Sequence, residues 1–465
     1  MEKNTLLQRL VRDYKQNHRE SERIYKKALQ FQIKGGSHNL RLFSPFPFFD
    51  RQCLGSKVKD VDGHTYVDFW QGHFANVLGH NPPVIRDSLV RYMKEGYGLM
   101  TGFPGLYQSQ LAELILNTIP ADKIRFTTSG TLASMYAVML AKAYTNRELI
   151  MKAGGGWHGA QPYALKGISS YDRGLDHVES AGLPTGMENT ILITQFNDTE
   201  DLEKKFMEYG ERISCLLMEP FVGAGGFIFA TPEYLQKARE LTRRYGVVLV
   251  LDEVISGFRF HAGGLQSLYK VKPELSILGK AIGGGMPLSA LAGKKEIMNL
   301  CDPEVKTSQK VKFEGGTFSA HPGSVYAGLN FLSHLIENQD EIYPQIGRMG
   351  KKVRQGIENI FTQHGFNVQC TGGDETLVPY SSMVGVHFLK KGAGPINSPN
   401  EACNPEISDI DMRESLFKLA MLEEGFNTFH GYGAISYAHS YKEIQESLEA
   451  VERIVNRWER YKLKF

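Results

Sequence analysis

Between residues 86 and 330, short apolar runs alternate with helical stretches, and this rhythm constrains the fold more than any other feature of the chain. The runs fall at 124–128, 148–152, 190–194, 215–218, 247–251 and 275–278. Helices between successive strands require crossover connections, so the strands run mainly parallel and the sheet is covered on both faces. The expected class is α/β, with a large domain over 86–330. One crossover helix is well punctuated: Thr231 can cap it, Pro232 suits its first position, and Gly246 ends it.

A chain of 465 residues exceeds the ~250–300 at which a single core stops growing, so a second, smaller domain is expected. Beyond 330 the rhythm changes. A helical stretch at 342–364 precedes an apolar strand at 383–389. The last helix opens on Ser440-Tyr441-Lys442-Glu443, a capping-box pattern, and puts Ile444, Leu448, Val451 and Ile454 on one face. Residues 331–465 read as an α+β domain. Residues 1–34 read as a charged helical surface arm. Residues 35–85 are irregular, with short strands at 56–61 and 65–69 around the turn Asp62-Gly63. The whole segment 1–85 is expected to join the small domain.

Charge and composition exclude several partner classes. A net charge of +2 gives no field for nucleic acid or an anionic membrane. No run approaches the ~18 apolar residues of a membrane span, and the start MEKNTLLQRL has no apolar signal core. The five cysteines, Cys53, Cys215, Cys301, Cys370 and Cys403, are odd in number, widely spaced and form no CxxC. They argue against a disulfide framework or a zinc site, and for a reducing compartment. The expectation is a cytoplasmic protein without a metal.

Four segments carry candidate chemistry. Five apolar residues, Val247 to Leu251, lead into Asp252 and Glu253. That is the C-terminal end of a buried strand, where parallel sheets bind ligands; read alone, two acids leaving the core for water is the commoner case. A second strand ends in Gly279-Lys280, followed by Gly283-Gly284-Gly285. A desolvated lysine there has a lowered pKa and a free lone pair for Schiff-base chemistry, although an isolated lysine leaving a strand is usually at the surface. Thr128-Ser129-Gly130-Thr131 links a strand to a helical run at 132–144. Such a helix start can hold a phosphate on its N–H groups, or be an ordinary cap. In Gly154-Gly155-Gly156-Trp157-His158-Gly159, Trp157 can stack on a flat ring or pack in the core, and His158 reads as a packing residue.

Taken in order, these segments resemble the class III aminotransferases within fold type I of the pyridoxal-phosphate enzymes. The look is closest to glutamate-1-semialdehyde aminomutase and its aminotransferase relatives. The matching pieces are Asp68-Phe69 with Gly79-His80, Thr128 to Thr131, Trp157-His158-Gly159, Met218-Glu219-Pro220, Leu251 to Val254 with Gly257-Phe258-Arg259, Gly279-Lys280, and Gly315 to Phe318. They run from about residue 35 to the C-terminus. The resemblance implies a large domain with a mainly parallel mixed sheet, a smaller α+β domain, and a homodimer with shared sites. It implies Lys280 as the Schiff-base lysine and α-proton base, and Asp252 as the carboxylate that protonates the pyridine ring. Ser129, Gly130 and Thr131 correspond to the phosphate cup, with Thr317 from the partner subunit. Trp157 corresponds to the ring stacker, Val254 to the apolar floor, and Glu219 to a cofactor-side residue of unassigned role. Arg41 stands where the aminomutase pattern has a carboxylate-gripping arginine.

Three positions depart from the pattern. Leu132 replaces a glutamate just past the phosphate cup, Gly431 replaces a glutamate near the C-terminus, and His38 replaces a serine before Arg41. The last two are on the substrate side, and suggest the same machinery acting on a different substrate. The leading expectation is an aminotransferase working between an amino donor and a carbonyl acceptor. An intramolecular aminomutase and an amino-acid racemase are the alternatives within the class. A cofactor-binding regulator is the alternative outside it. Phe43, Phe46, Phe48 and Phe49 hint at an apolar or aromatic substrate side chain.

Overall fold

The computed structural model describes residues 2–169 and 174–461. Its centre is a seven-stranded sheet: β1 (Lys123–Thr127), β2 (Leu149–Ala153), β3 (Ile191–Thr194), β4 (Ile213–Met218), β5 (Val248–Glu253), β6 (Leu275–Leu278) and β7 (Ser289–Gly293). The order across the sheet is β3-β2-β4-β5-β6-β7-β1. Every neighbouring pair is parallel except the two made by β7. The fold is thus α/β with a mainly parallel mixed sheet, as the sequence predicts. Buried on both faces, β4 and β5 are almost wholly apolar until the acids at the end of β5. The helix Pro232–Tyr245 begins and ends where its punctuation requires: the Thr231 hydroxyl accepts from the Tyr234 N–H, and Gly246 sits at φ +62°.

Strand β7 is absent from the sequence reading. Its residues, Ser-Ala-Leu-Ala-Gly, show neither alternation nor bulk, because they are pressed between two strands: a Cβ on Gly293 would stand 2.4 Å from the Leu275 side chain.

Both ends of the chain build the rest. Strands Val368–Thr371, Met383–Phe388 and Gly431–Ala434 form an antiparallel sheet against the helices Gln339–Gln363 and Tyr441–Arg460. The last helix opens on the predicted capping box, and Ile444, Leu448, Val451 and Ile454 are buried. The antiparallel ribbon Asp50–Leu54, Lys57–Asp60 and Thr65–Asp68 gains a parallel fourth strand, Phe426–Asn427, from the far end of the chain.

The N-terminal helix is not a free surface arm. Glu2–Asn17 buries Leu6, Leu10 and Tyr14 in the same core as Met412, Leu416 and Leu419. Lys3 pairs with Asp409 at 2.8 Å and Arg9 with Glu423 at 2.9 Å. The three apolar residues recur every fourth position, a narrow stripe outweighed in the sequence by the charges around it. His18 follows this helix, its Nδ1 on the Tyr14 carbonyl and its Nε2 on the Tyr66 hydroxyl. Those bonds occupy both nitrogens of the residue that, with Asp60 and His64, makes a metal-like grouping.

Arg259 locks these layers together. Fully buried, it donates to the Phe74 carbonyl at 3.3 Å, the Ser382 hydroxyl at 3.1 Å and the Ile435 carbonyl at 2.8 Å. Arg259→Met leaves those acceptors unpaired and is expected to cost on the order of 3 kcal/mol, read as a lower urea midpoint. An unchanged midpoint would show that the contacts are dispensable.

Candidate active site

The C-terminal ends of the parallel strands open onto a cavity of about 710 Å³. Asp252, the next-to-last residue of β5, lines it and is buried. Its Oδ2 accepts from His158 Nδ1 at 2.8 Å, and its Oδ1 accepts from the Val254 N–H at 3.0 Å. Burial holds the His158 ring below its ordinary pKa, against the pull of Asp252, so the ring is neutral and carries its proton on Nδ1. Its Nε2 is buried and unpartnered. The packing residue of the sequence reading is thus a partner of the key carboxylate. Nothing local in the sequence signals this, since the pair is separated by 94 positions. Glu253, one residue on, faces away. It accepts from the N–H groups of Leu265 and Gln266 at 2.6 and 3.0 Å and from the Ser256 hydroxyl, and so shapes the following loop.

Lys280 follows β6 at φ +44°, a left-handed conformation uncommon outside glycine. Its side chain lines the cavity. Burial lowers its proton affinity, while Asp252 and Glu219 raise it. Glu219 follows β4. One oxygen accepts from the Trp157 N–H at 2.8 Å and the other from the Gly223 N–H at 3.2 Å, so the side chain ties the backbone at Trp157 to the loop after β4. Trp157 itself keeps 41% of its surface exposed, towards the cavity.

Ser129 caps the helix Gly130–Thr145, accepting from the Leu132 N–H. The N–H groups of Gly130 and Thr131 therefore stand at a helix start beside two hydroxyls. The cradle is tight: a Cβ on Gly130 would meet Val254 at 2.8 Å, and one on Gly159 would meet Thr131 at 2.3 Å. Ser129, Gly130, Thr131, Trp157, Glu219, Asp252, Val254 and Lys280 all line the one cavity, and so does Arg41. Thr317 does not; it is exposed, on a turn after Gly315 and Gly316.

On the outer wall the structure adds His73, which the sequence did not single out, beside Arg41 and His38, which it did. Arg41 Nε donates to His73 Nε2 at 3.1 Å, and the His38 ring lies edge-on to His73 with centroids 4.6 Å apart. Burial first, then the nearby His38, Arg41 and Lys280, press the His73 pKa down to about 3, so it accepts from Arg41 as a neutral ring. The segment carrying His73 is anchored by Asp68, which takes the Trp70 and Gln71 N–H groups, His80 Nε2 and Asn427 Nδ2. Of the four phenylalanines, Phe43 and Phe48 reach the cavity, whereas Phe46 packs against Tyr14 and Tyr25.

Comparison with known proteins gives this arrangement a family. Residues 43–372 match the model of the class-III aminotransferases. The chain belongs to that family. It is 33% identical over 436 residues to a glutamate-1-semialdehyde 2,1-aminomutase of Methanosphaera stadtmanae, covering 93% of this chain and 97% of the relative. Its fold is similar to an omega-transaminase from Sphaerobacter thermophilus at TM-score 0.84 and 28% identity, covering 94% and 97% of the two chains. It is also similar to a glutamate-1-semialdehyde aminomutase from Pseudomonas aeruginosa at TM-score 0.84 and 19% identity, covering 98% of each chain. This class III enzyme uses pyridoxal phosphate, and the residues suit it: an amine, a carboxylate buried on a neutral imidazole, an indole open to the cavity, and a helix start cleared of side chains by two glycines.

Burial first, and Asp252 second, raise the Glu219 carboxyl to about 8, against the Trp157 and Gly223 N–H groups. The native apoenzyme then keeps this proton up to about 8 while the unfolded chain loses it near 4.5. The native state binds more protons across that window, so stability falls as pH rises through it and levels off above. Melting of the apoenzyme between pH 5 and 8 is expected to decline less in Glu219→Gln than in wild type; parallel declines would refute the assignment.

Proposed function

We propose that this enzyme is an aminotransferase, taking nitrogen from a carboxylate-bearing amino donor and delivering it to a separate carbonyl acceptor. The observation that carries the reading is the convergence on one cavity of Lys280, the Asp252–His158 pair and the open helix start at Gly130. When bound, pyridoxal phosphate supplies an aldehyde that joins the substrate nitrogen and a ring that accepts the electron pair of the adjacent carbon. Lys280 Nζ anchors that aldehyde and moves the proton at the substrate carbon; its lowered proton affinity keeps the lone pair available. Asp252, steadied by the His158 N–H, holds a proton on the ring nitrogen. Ser129, Gly130 and Thr131 grip the phosphate, while Trp157 and Val254 cover the ring and exclude water. Arg41 takes the substrate carboxylate through the nitrogens its bond to His73 leaves free.

Gly431, expected on the substrate side, lies instead in a buried strand at φ +86°, outside the lining of the cavity, where a Cβ would stand 2.6 Å from Val386 Cβ. Its lack of a side chain follows from strand packing and does not separate transfer between two substrates from transfer within one. The second reading, an aminomutase, is supported by the 33% identity to the Methanosphaera enzyme.

Incubation with single amino donors is expected to release the 2-oxo acid and to bleach the cofactor's visible absorption, with recovery on adding an acceptor. A racemase would release none. Efficient conversion of glutamate-1-semialdehyde to 5-aminolevulinate with no donor or acceptor added would overturn the ranking in favour of the aminomutase. Borohydride is expected to fix the cofactor on Lys280. Asp252→Asn is expected to slow turnover at least roughly 100-fold with cofactor retained. An adduct on Lys294 or Lys295 would reject the site.

We also propose a homodimer in which Thr317 completes the phosphate site of the second copy. Its exposure, on a turn that follows two glycines at φ +70° and +87° and lies outside its own cavity, supports this. Mixing inactive Lys280→Ala with inactive Thr317→Asp under subunit exchange then gives one intact site per mixed dimer. Activity should return; confirmed exchange without activity would defeat the shared site. Five free cysteines support a reducing, cytoplasmic location, and among the described residues no helix is long and apolar enough to cross a membrane.

A further inference from the structure

The cavity holds a second lysine that the proposed chemistry does not use. Lys418 opens the helix Lys418–Glu423 directly after a π-helical turn, Met412–Phe417. Such turns insert a residue, re-aim the side chains that follow, and concentrate at functional sites. Lys418 is only 9% exposed and lines the cavity with Arg41 and His73. Its ammonium lies 4.6 Å from the centre of the Phe43 ring and 5.4 Å from that of Phe429. Among the described residues it donates to no acceptor and forms no ion pair.

That is an uncommon state for a lysine, which is almost never so buried unless paired. Each ring contributes about 1–2 kcal/mol, whereas desolvating an ammonium costs several kcal/mol. The nearby acids are already engaged. Glu414 is held by Arg413 Nε at 2.8 Å and His430 Nδ1 at 3.0 Å. Asp68 is held by His80 at 2.7 Å and by Asn427 at 2.7 Å. Both raise the proton affinity of Lys418 through space, against the burial that lowers it. The ammonium thus keeps three donors for something that enters the cavity.

We propose that Lys418 is a specificity residue that receives a second carboxylate of the substrate, at the far end from the one on Arg41, so that the favoured substrate is a dicarboxylate. The inference rests on the reading of Arg41 as the first carboxylate site. A lysine presents a point charge rather than a rigid fork, so it selects for charge while tolerating some variation in length.

The test is equilibrium binding of malonate, succinate, glutarate, adipate and butyrate to the cofactor-loaded enzyme, by calorimetry. At least one diacid is expected to bind wild type at least about tenfold more tightly than butyrate, the ratio for one charge-assisted hydrogen bond. Lys418→Met and Lys418→Gln should bring that ratio to within about twofold, and Lys418→Arg should keep most of it. Wild type without a diacid preference overturns the proposal. So does a preference that survives in whichever neutral variant keeps its melting temperature and cofactor absorption. Arg41→Ala separates the two readings. Loss of butyrate binding in Arg41→Ala supports the first carboxylate site, and unchanged butyrate binding rejects it, while the diacid-to-butyrate ratio, measured with Arg41 intact, reports on Lys418.

Discussion

A carboxylate at the buried end of the central strand is the constraint around which this site is organised. Asp252 cannot sit among β4, β5 and β6 unless its oxygens are satisfied, because an unpaired buried charge is prohibitively expensive. One oxygen takes the Val254 N–H and the other recruits His158 from the loop after β2. That loop also presents Trp157, whose N–H is fixed by a second buried acid, Glu219, after β4. Two acidic side chains at neighbouring strand ends, Asp252 and the carboxyl of Glu219, thereby set the backbone of the glycine-rich segment. Gly159 can then press against Thr131 at the helix start. The cofactor side follows from satisfying those two acids.

The substrate side obeys a different logic. Its residues come from both ends of the chain and are held by Asp68, which joins the Trp70–Gln71 backbone, His80 and Asn427. Arg41, His73 and Lys418 are mounted on short or irregular elements: a 3₁₀ turn, a segment with left-handed residues, and the first residue after a π turn. Precise binding groups on rigid strands and variable ones on turns is a common division in α/β enzymes.

That division explains how much of the molecule the sequence disclosed. Strand ends, helix caps and glycine loops are local signals, so the large sheet, the helix after Thr231 and the acids and lysine at strand ends were readable. The packing reading of His158 agrees with its burial, and its bond to Asp252 is not legible in the sequence because that partner lies on another strand. Lys418 was invisible because FKLAMLEEGF looks like a helix with one solvent lysine; only packing against Phe43 and Phe429 removes it from water. The N-terminal helix reads as an arm because its apolar stripe of Leu6, Leu10 and Tyr14 is narrow. Strand β7 leaves no sequence signal because small residues, suited to tight packing, erase the alternation that marks a strand.

The pairing of Thr65–Asp68 with Phe426–Asn427 has a consequence for synthesis. Asp68 and Asn427, hydrogen-bonded in the finished protein, are separated by 359 positions. At roughly 5–20 residues per second, the ribosome makes Asp68 tens of seconds before its partner exists. Through that interval the N-terminal ribbon has an open edge able to pair with a neighbouring nascent chain. The central sheet can assemble from contiguous sequence in the meantime. The N-terminal ribbon is therefore a part of the fold that waits on the far end of the chain, whereas the central sheet does not.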